Sequence, residues 1–287
     1  MTLSVVIPCF NEAQLLPVQL RALTVQRAPE PWEIVVADNG SNDGSQEVVE
    51  ELRRDFPSLR LVDASDRRGA AHARNVGARA ARGEKLAFVD ADDMVGEGWV
   101  AAMSAALDRH DFVCCRFEAE RLNPPWVLKI HRCPQQEGPQ QYSYPPYLSH
   151  AGGGGLGVRR AVHEAVGGFD EDLQALEDTD YCWRIQRRGI ALAFAPDAVV
   201  HIRYPQDLRV IYEQARSYAI HNVLLYKRYR ALGMPRLSWR PGLQALARLP
   251  RQWLQARDRA ARARFVWRLG WHLGRLEGSL RHRVYAL

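Results

Sequence analysis

The stretch Lys85-Leu86-Ala87-Phe88-Val89-Asp90-Ala91-Asp92-Asp93 joins a short apolar run to three carboxylates within four positions. The apolar residues predict a strand that is buried on both faces of a sheet. In open parallel α/β sheets, ligands bind at the carboxyl ends of the strands, where Mg²⁺ takes carboxylate oxygens together with a substrate's phosphates. The pattern therefore indicates a metal and phosphate site. The alternative is that Asp92 or Asp93 caps a helix, which we predict to run from Trp99 to Leu107.

Length and composition are those of an ordinary soluble globular protein. The chain has 287 residues, of which 47% are hydrophobic and 25% are charged, enough for one large domain or two small ones. Its five cysteines include no CxxC pair, which argues against a disulfide framework and a zinc site and favours a reducing compartment. The chain opens directly on a strand, and no apolar run approaches the ~20 residues of a membrane-spanning helix. We therefore expect a cytoplasmic protein.

The net charge of +6 is distributed unevenly along the chain. Residues 203–287 contain 18 Lys and Arg against 4 Asp and Glu, whereas residues 1–202 carry a net charge of −8. Such asymmetry is typical of a basic segment that meets an anionic surface, either a membrane or a nucleic acid.

Strands and helices alternate along the first 110 residues. The predicted strands are 3–8, 33–37, 59–62 and 85–89. Right-handed crossovers between them place Asn11, Asp38 and Asp90 at the carboxyl edge of one parallel sheet. This alternation predicts a nucleotide-binding half of the doubly wound type. Because the GxGxxG and GxxxxGK[ST] fingerprints are absent, phosphates would have to be neutralised by a metal.

The pattern after the predicted strand 111–120 is less regular. Residues 121–148 are rich in Pro, Gln and Tyr and predict a long loop or lid, and four glycines follow at 152–155. The segment Glu177-Asp178-Thr179-Asp180 begins a helix, so that its acids either stabilise the macrodipole or include a general base. His201, after the last predicted strand, is either a structural histidine or a further metal ligand, particularly for Mn²⁺.

Six motifs in this order resemble those of the family-2 glycosyltransferases, which have the GT-A fold. They are Val5-Val6-Ile7-Pro8-Cys9-Phe10-Asn11-Glu12, Asp38-Asn39-Gly40-Ser41-Asn42-Asp43, Ala73-Arg74-Asn75-Val76-Gly77, Asp90-Ala91-Asp92-Asp93, Gly167-Gly168-Phe169-Asp170-Glu171 and Glu177-Asp178-Thr179-Asp180. The resemblance covers roughly residues 3–203. It implies an α/β, Rossmann-like, mostly parallel sheet flanked by helices. It also implies an inverting, metal-dependent enzyme that moves a sugar from a nucleotide diphosphate sugar to an acceptor hydroxyl, in polysaccharide or glycolipid synthesis of the cell envelope.

The resemblance also assigns roles to individual residues. Those expected beside the nucleotide are Pro8, Phe10, Glu12, Asp38, Asn39, Arg74, Asp90 and Ala91. Asp92, in the DxD motif, would bind Mg²⁺ or Mn²⁺ on the diphosphate, with His201 as a second candidate ligand, and Asp178 would be the general base. The acceptor side would comprise Gly168, Phe169, Asp170 and Glu177. Many members carry two acids where this chain has Asp38-Asn39, which leaves the nucleobase preference open.

The expected domains are a catalytic domain, 1–204, and a basic helical extension, 205–287. The catalytic domain would divide into a nucleotide-binding half, 1–110, and an acceptor half, 111–204. Between residues 262 and 283 the extension has a leucine-rich stripe at helical spacing, flanked by Trp267 and Trp271. Two interpretations stay open for residues 236–287: peripheral attachment to an anionic membrane, at the inner face of the cell membrane, or packing against the chain's own domain.

Two rival functions were weighed against sugar transfer. A nucleic-acid-associated protein could use the Arg-rich tail with a degenerate nucleotide fold as its scaffold, but the chain has no recognisable recognition motif. A sugar-nucleotidyltransferase would also hold a metal at sheet-edge acids, but a Gly-rich loop with Arg or Lys is expected after its first strand. The loop Cys9-Phe10-Asn11-Glu12 has neither. The favoured partners are therefore a nucleotide diphosphate sugar and a saccharide or lipid-linked acceptor.

Overall fold

The computed structural model describes residues 2–130, 132–142, 147–238 and 240–286. Within these ranges the strands β1–β8 are, in chain order, Leu3–Cys9, Trp32–Asp38, Leu59–Asp63, Lys85–Phe88, Met94–Val95, Phe112–Glu118, Leu156–Arg159 and Ala193–His201. The helices α1–α10 are Leu16–Thr24, Ser45–Leu52, Ala70–Ala80, Trp99–Arg109, Pro125–Leu128, Arg160–Ala165, Glu177–Gln186, Leu208–Tyr229, Arg240–Gln255 and Arg259–Arg281. Residues 131 and 143–146 of the predicted loop 121–148 lie outside the described residues.

All eight strands form one sheet in the order β3-β2-β1-β4-β7-β6-β8-β5, as far as the described residues show. Strands β3, β2, β1 and β4 are parallel, β7 is antiparallel to both of its neighbours, and β6 and β8 are again parallel. Cys9 at the end of β1 pairs with Asp38 at the end of β2, and the amide of Val89 donates to Val6. The polar segments after β1, β2 and β4 therefore meet at one edge, as predicted.

Helices cover both faces of the sheet because the central strands are apolar on both sides. On one face, α1 and α4 bury Leu16, Leu20 and Trp99 against β1 and β2. On the other face, α3 and α7 bury Ala71 and Tyr181. These two apolar layers make β1, β2 and β4 the rigid base from which the edge loops project.

The helix-cap interpretation of Asp92 and Asp93 is wrong. The helix α4 begins at Trp99 as predicted, but Gly98 precedes it in a left-handed conformation, with φ +73°, and the two-residue strand β5 intervenes. The Asp93 carboxylate instead accepts a hydrogen bond from the backbone N–H of Arg203 at 2.8 Å. This acid therefore joins the segment after β4 to the segment after β8.

The C-terminal helices α8 and α10 run parallel and pack against each other through glycines. Gly270, Gly274 and Gly278 of α10 follow the α8 backbone, and a Cβ on Gly270 would lie 2.6 Å from the Tyr212 carbonyl oxygen. The helix therefore packs through its small residues, whereas Leu273 and Leu280 of the predicted leucine stripe remain exposed. No helix in the described ranges combines the length and the apolar character that crossing a bilayer requires.

Candidate active site

A cavity of about 560 Å³ opens where the carboxyl edge of the sheet meets the second half of the chain and the C-terminal helices. Its volume lies within the range of small-molecule sites, about 300–1,000 Å³. The charged residues that line it are Arg74, Asp90, Asp92, Asp93, Arg132, Glu177, Asp178 and Arg203. The first, fourth and sixth sequence motifs thus contribute to one region of the molecule or flank it.

Arg74 links the two halves of this site. Its buried guanidinium donates from Nη2 to Asp90 Oδ1 at 2.8 Å and from Nη1 to Glu177 Oε1 at 2.6 Å. The glycine run explains itself here, because a Cβ on Gly153 would lie 2.6 Å from Arg74 Nη2 and one on Gly154 would lie 2.6 Å from Asp90 Oδ2. Backbone without side chains therefore closes over this buried ion pair.

Asp178 lies at the start of α7, next to this ion pair. Its two carboxylate oxygens accept from different backbone N–H groups, that of Thr179 at 2.6 Å and that of Gly153 at 2.8 Å. Burial, followed by the negative charge of Glu177, raises the pKa of Asp178 from 3.8 to about 7. A carboxylate with a pKa near 7 that faces a cavity has the properties of a general base.

The neighbouring acids of this segment have other roles. Leu176, immediately before α7, has a left-handed φ of +58°, an uncommon conformation for a residue with a branched side chain. Asp180 accepts from Tyr229 Oη at 2.9 Å and from Arg184 Nε at 2.6 Å. It therefore ties α7 to α8, so of the three acids only Asp178 is offered to the cavity without a cationic partner among the described residues.

The sheet edge beside Asp90 is crowded with acids. Burial, followed by the charge of Asp92, raises the pKa of Glu12 to about 7, and burial, followed by the charge of Asp90, raises the pKa of Asp92 to about 6. Arg203 approaches from the end of β8, where its Nε donates to the Asp92 carbonyl oxygen at 3.1 Å. Carboxylates held in one another's negative potential are suited to binding a cation.

His201 is not brought together with Asp92. Its Nδ1 lies 3.5 Å from Glu118 Oε2 on the neighbouring strand β6, and the residue does not line the cavity. Burial lowers the pKa of His201, which keeps the imidazole neutral. Within the part of the chain that the structure describes, no three His, Cys, Asp or Glu side chains converge on one metal position. Glu12 lies nearer to Asp92 than this histidine does in its electrostatic environment.

The predicted nucleotide-side residues lie along the same edge, outside the cavity itself. Pro8 ends β1, and Phe10 is 47% exposed beneath the guanidinium of Arg68, 4.1 Å from its ring centroid. The buried Asp38 accepts from Gln46 Nε2 at 2.7 Å, and Ala91 is buried against the core. This arrangement leaves an exposed aromatic ring and a carboxylate beside the acidic edge.

Asn39 is occupied by the backbone around it. Its Nδ2 donates to the carbonyl oxygens of Ala64, at 2.5 Å, and Arg67, at 2.8 Å, while its Oδ1 accepts from the Gly69 N–H at 2.9 Å. An aspartate could not donate the first two bonds, so asparagine at this position has a structural reason that the sequence alone did not reveal.

The predicted acceptor-side residues Gly168, Phe169 and Asp170 lie away from Asp178, in a separate concavity of about 530 Å³. Gly168 has φ +70°, and a Cβ there would meet Asn75 Oδ1 at 2.5 Å. Phe169 is 2% exposed and stacks on Tyr181, with ring centroids 4.2 Å apart, and Asp170 pairs with Arg228 at 2.6 Å. These contacts give the Gly-Gly-Phe-Asp motif a structural role. Of this predicted group, only Glu177 lines the cavity with Asp178.

Several lining residues were missed in the sequence. They are Tyr142, His150, Arg203, Gln214 and Tyr218, together with Trp267 and Trp271, which had been noticed only as flanking a stripe. Arg203 carried a usable signal, because a cation directly after a strand that reaches the acidic edge is a natural partner for carboxylates. The others come from α8, α10 and the loop before the glycine run, whose approach to the site depends on packing between distant segments.

Comparisons with known proteins place these features in a family context. The sequence model of the family described as Glycosyl transferase family 2 matches residues 4–178, more than half of the chain. AglE of Haloferax volcanii, a glycosyltransferase, is 28% identical over 197 residues, which cover 68% of this chain and 65% of that protein. YfnE of Bacillus subtilis, an uncharacterized glycosyltransferase, is 37% identical over 116 residues, which cover 40% of this chain and 29% of that protein. The chain thus spans less than two thirds of the length of these curated relatives.

Two solved structures share the architecture. The mannosyltransferase PcManGT from Pyrobaculum calidifontis, in complex with GDP-Man and Mn²⁺, has a TM-score of 0.64 at 21% identity, covering 96% of this chain and 86% of that one. S. aureus TarS 1-349, in complex with UDP-GlcNAc, has a TM-score of 0.56 at 19% identity, covering 100% and 93%. At these identities the likeness concerns the fold, and the predicted GT-A fold is confirmed.

Proposed function

Since this chain belongs to glycosyl transferase family 2, we propose that it is an inverting glycosyltransferase, which moves a sugar from a nucleotide diphosphate sugar to an acceptor hydroxyl. The observation that supports this most is the joint placement of Asp90, Asp92 and Asp178 around one cavity. The first two mark the sheet edge where a nucleotide would bind, and the third supplies a base with a pKa near 7.

The acidic edge fits a divalent cation, Mg²⁺ or Mn²⁺. Buried carboxylates that raise one another's pKa are stabilised when a positive charge enters between them, and Asp92 and Glu12 are in this condition. Asp92 would hold the cation, with Glu12 as the nearer second acid. A bound cation would neutralise the charge that grows on the departing diphosphate. Arg203, beside Asp92, would add a fixed positive charge to the same region.

Asp178 would take the proton of the acceptor hydroxyl. A hydroxyl becomes a competent nucleophile when a carboxylate accepts its proton during attack. One carboxylate on the face of the sugar opposite the leaving group gives inversion, as in the two-carboxylate scheme of inverting glycoside hydrolysis. The backbone N–H groups of Thr179 and Gly153 fix the two oxygens of this carboxylate, so its orientation does not depend on substrate.

The comparisons support a nucleotide sugar as donor. GDP-Man is bound in the structure of PcManGT and UDP-GlcNAc in that of TarS, and these two donors share a sugar linked to a nucleoside diphosphate. We infer the same donor class here, with a saccharide or lipid-linked acceptor in synthesis of a cell-envelope polysaccharide or glycolipid.

A thermal-shift panel of nucleotide sugars tests this function. With Mg²⁺ or Mn²⁺ present, the true donor at 100 times its Kd should add about 2.7 kcal/mol to the free energy of unfolding, a rise in Tm of about 5 °C. The rise should be much smaller in EDTA and in Asp92→Asn, and should persist in the control Asp197→Asn, whose carboxylate is exposed and remote from the cavity. A panel in which no nucleotide sugar raises Tm with either cation would contradict the proposal.

We also propose that α9 attaches the protein peripherally to an anionic membrane, at the inner face of the cell membrane. This helix exposes Leu243, Trp253 and Leu254 by 44%, 55% and 76%, and Arg248 and Arg251 lie exposed along it. An apolar face beside basic residues is typical of helices that lie in the plane of an anionic bilayer.

Vesicle flotation tests the membrane proposal. The wild-type chain should float with vesicles containing anionic lipid and much less with neutral vesicles, because both apolar burial and charge attraction contribute. A triple change of Leu243, Trp253 and Leu254 to serine should abolish flotation and leave Tm unchanged, since these side chains are exposed. Equal partitioning of the variant and the wild type would remove α9 as the attachment site.

A further inference from the structure

Trp267 and Trp271 of α10 border two concavities at once. Both line the catalytic cavity of about 560 Å³ together with Asp178. Both also line a neighbouring surface groove of about 240 Å³, which they share with Arg268 and His272. Because the tryptophans are four residues apart, their side chains occupy one face of the helix. The two concavities therefore meet along an aromatic edge that leads from the general base to the outside.

These tryptophans do not serve to hold the helix in place. Trp99 and Trp183 are completely buried in the chain's apolar clusters, whereas Trp267 and Trp271 are half-buried and belong to none of the clusters among the described residues. The packing face of α10 consists of glycines that follow the α8 backbone. Large aromatic rings turned towards a cavity, on a helix that packs through its small residues, indicate a surface that meets a ligand.

The position of this aromatic edge is fixed relative to Asp178. On α10, Glu277 pairs with Arg216 of α8, and Arg275 Nη1 donates to Asn222 Oδ1 at 2.6 Å. Near its start, Arg264 donates to the Lys129 carbonyl oxygen at 2.7 Å. These contacts hold α10 to α8 and to the segment after α5. The aromatic edge is thus a wall of the catalytic cavity, although it lies outside residues 4–178 that the family model matches.

The chemistry of the edge suits a saccharide. The face of an aromatic ring carries negative charge density, and the C–H bonds on one face of a pyranose ring carry partial positive charge, so the two surfaces attract as they bury apolar area. Tyr218 meets Trp267 edge to face, with ring centroids 6.2 Å apart, and extends the aromatic surface towards the base. Gln214 and His150 add polar groups to the same cavity, as hydroxyl recognition requires.

We propose that Trp267 and Trp271 form an acceptor subsite, which stacks the sugar units preceding the one whose hydroxyl faces Asp178. The acceptor is then a saccharide chain of at least two units, which enters along the groove of α10. This inference rests on the proposed glycosyltransferase function and names its acceptor class. The Trp271 ring, which borders the outer groove and lies 5.9 Å from the Arg275 guanidinium, is the more accessible position to test.

The test measures acceptor KM for one donor with acceptors of graded length. Methyl glycosides carrying one to four sugars, chosen from a glycan-array screen with the wild-type chain, provide soluble probes. The wild type should show acceptor KM falling as sugars are added, and Trp271→Ala should raise KM for the longer acceptors tenfold or more. Trp271→Tyr should recover most of the loss. Donor Kd and donor hydrolysis by water should be unchanged in both variants, because neither involves the subsite.

Trp126→Ala is the matched control. Trp126 is also half-buried and lies 3.8 Å from the Arg259 guanidinium at the start of α10, but it lines neither concavity. Its removal should leave acceptor KM unchanged.

Three results would overturn the subsite. They are an unchanged acceptor KM in Trp271→Ala, a failure of the donor-hydrolysing wild type to bind any saccharide of the array, and a KM that falls with alkyl length, from methyl to octyl glycosides of one sugar, instead of with sugar number. The last result would assign the groove to a lipid chain. Failure of the wild type to bind or hydrolyse any nucleotide sugar would instead remove the proposed function itself.

Discussion

Replacing Arg74 with methionine is expected to lower the free energy of unfolding by about 3 kcal/mol, the low end of the cost of breaking a buried ion pair. The guanidinium is buried and holds Asp90 and Glu177, whose side chains are 37% and 11% exposed. Removing it leaves two carboxylates facing each other across the site without a counter-charge. The partial exposure of Asp90 lets water screen part of the cost, which is why we expect the low end.

Urea unfolding of Arg74→Met and of a matched variant measures this effect. Arg67→Met is the control, because Arg67 also has two acidic partners, Glu171 and Asp172, but its side chain is 45% exposed. Exposed pairs contribute little, so Arg67→Met should cost less than about 1 kcal/mol. Neutralising one partner as well, in Arg74→Met with Glu177→Gln, should recover part of the loss. Equal midpoints for the two arginine variants would show that Arg74 does not compensate buried charge.

The first half of the fold follows from local patterns in the sequence. Apolar runs such as 85–89 predict strands, and the helix predicted from Gly69 to Arg82 occurs at Ala70–Ala80. The polar residues at the carboxyl edge were predictable for the same reason, since a parallel sheet brings the ends of its strands together. Each of these inferences uses only neighbours in sequence and one handedness rule.

The parts that sequence reasoning missed depend on contacts between distant segments. Asp93 looked like a helix cap because its true partner, the Arg203 amide, lies 110 residues away. His201 looked available for a metal because its pairing with Glu118 arises only when β6 and β8 align. On α10, the leucine stripe drew attention to the wrong face, since close helix packing selects glycines that no hydrophobicity pattern reveals. The placement of Trp267 and Trp271 beside the cavity follows from that same packing.

Asp178→Asn is expected to slow sugar transfer by ~10² or more, the usual scale for the loss of a general base, while donor binding stays near the wild-type value. The amide keeps the size of the carboxylate but cannot accept the proton of the acceptor hydroxyl. It also retains only one acceptor oxygen, so one of the N–H groups of Thr179 and Gly153 loses its partner, at a cost of about 1 kcal/mol. A melting curve of the variant separates this structural cost from the catalytic one.

The pH dependence of the wild-type enzyme should report the same group. Burial beside Glu177 raises the pKa of Asp178 to about 7, so below pH 7 the carboxyl is increasingly protonated and cannot act as a base. At saturating donor and cation, transfer should fall about tenfold for each pH unit below about 7 and level off above it. Saturation matters because Glu12 and Asp92 also titrate near this range in the absence of a cation.

The central claim, that Asp178 deprotonates the acceptor of a bound nucleotide sugar, is tested most directly by single-turnover transfer at saturating donor. We predict that Asp178→Asn binds the donor with wild-type Kd and transfers its sugar at no more than about a hundredth of the wild-type rate, without the rise through pH 7. Asp172→Asn, an exposed acid paired with Arg67, should transfer at the wild-type rate. Undiminished transfer by Asp178→Asn, or a rate that still rises through pH 7, would contradict the account.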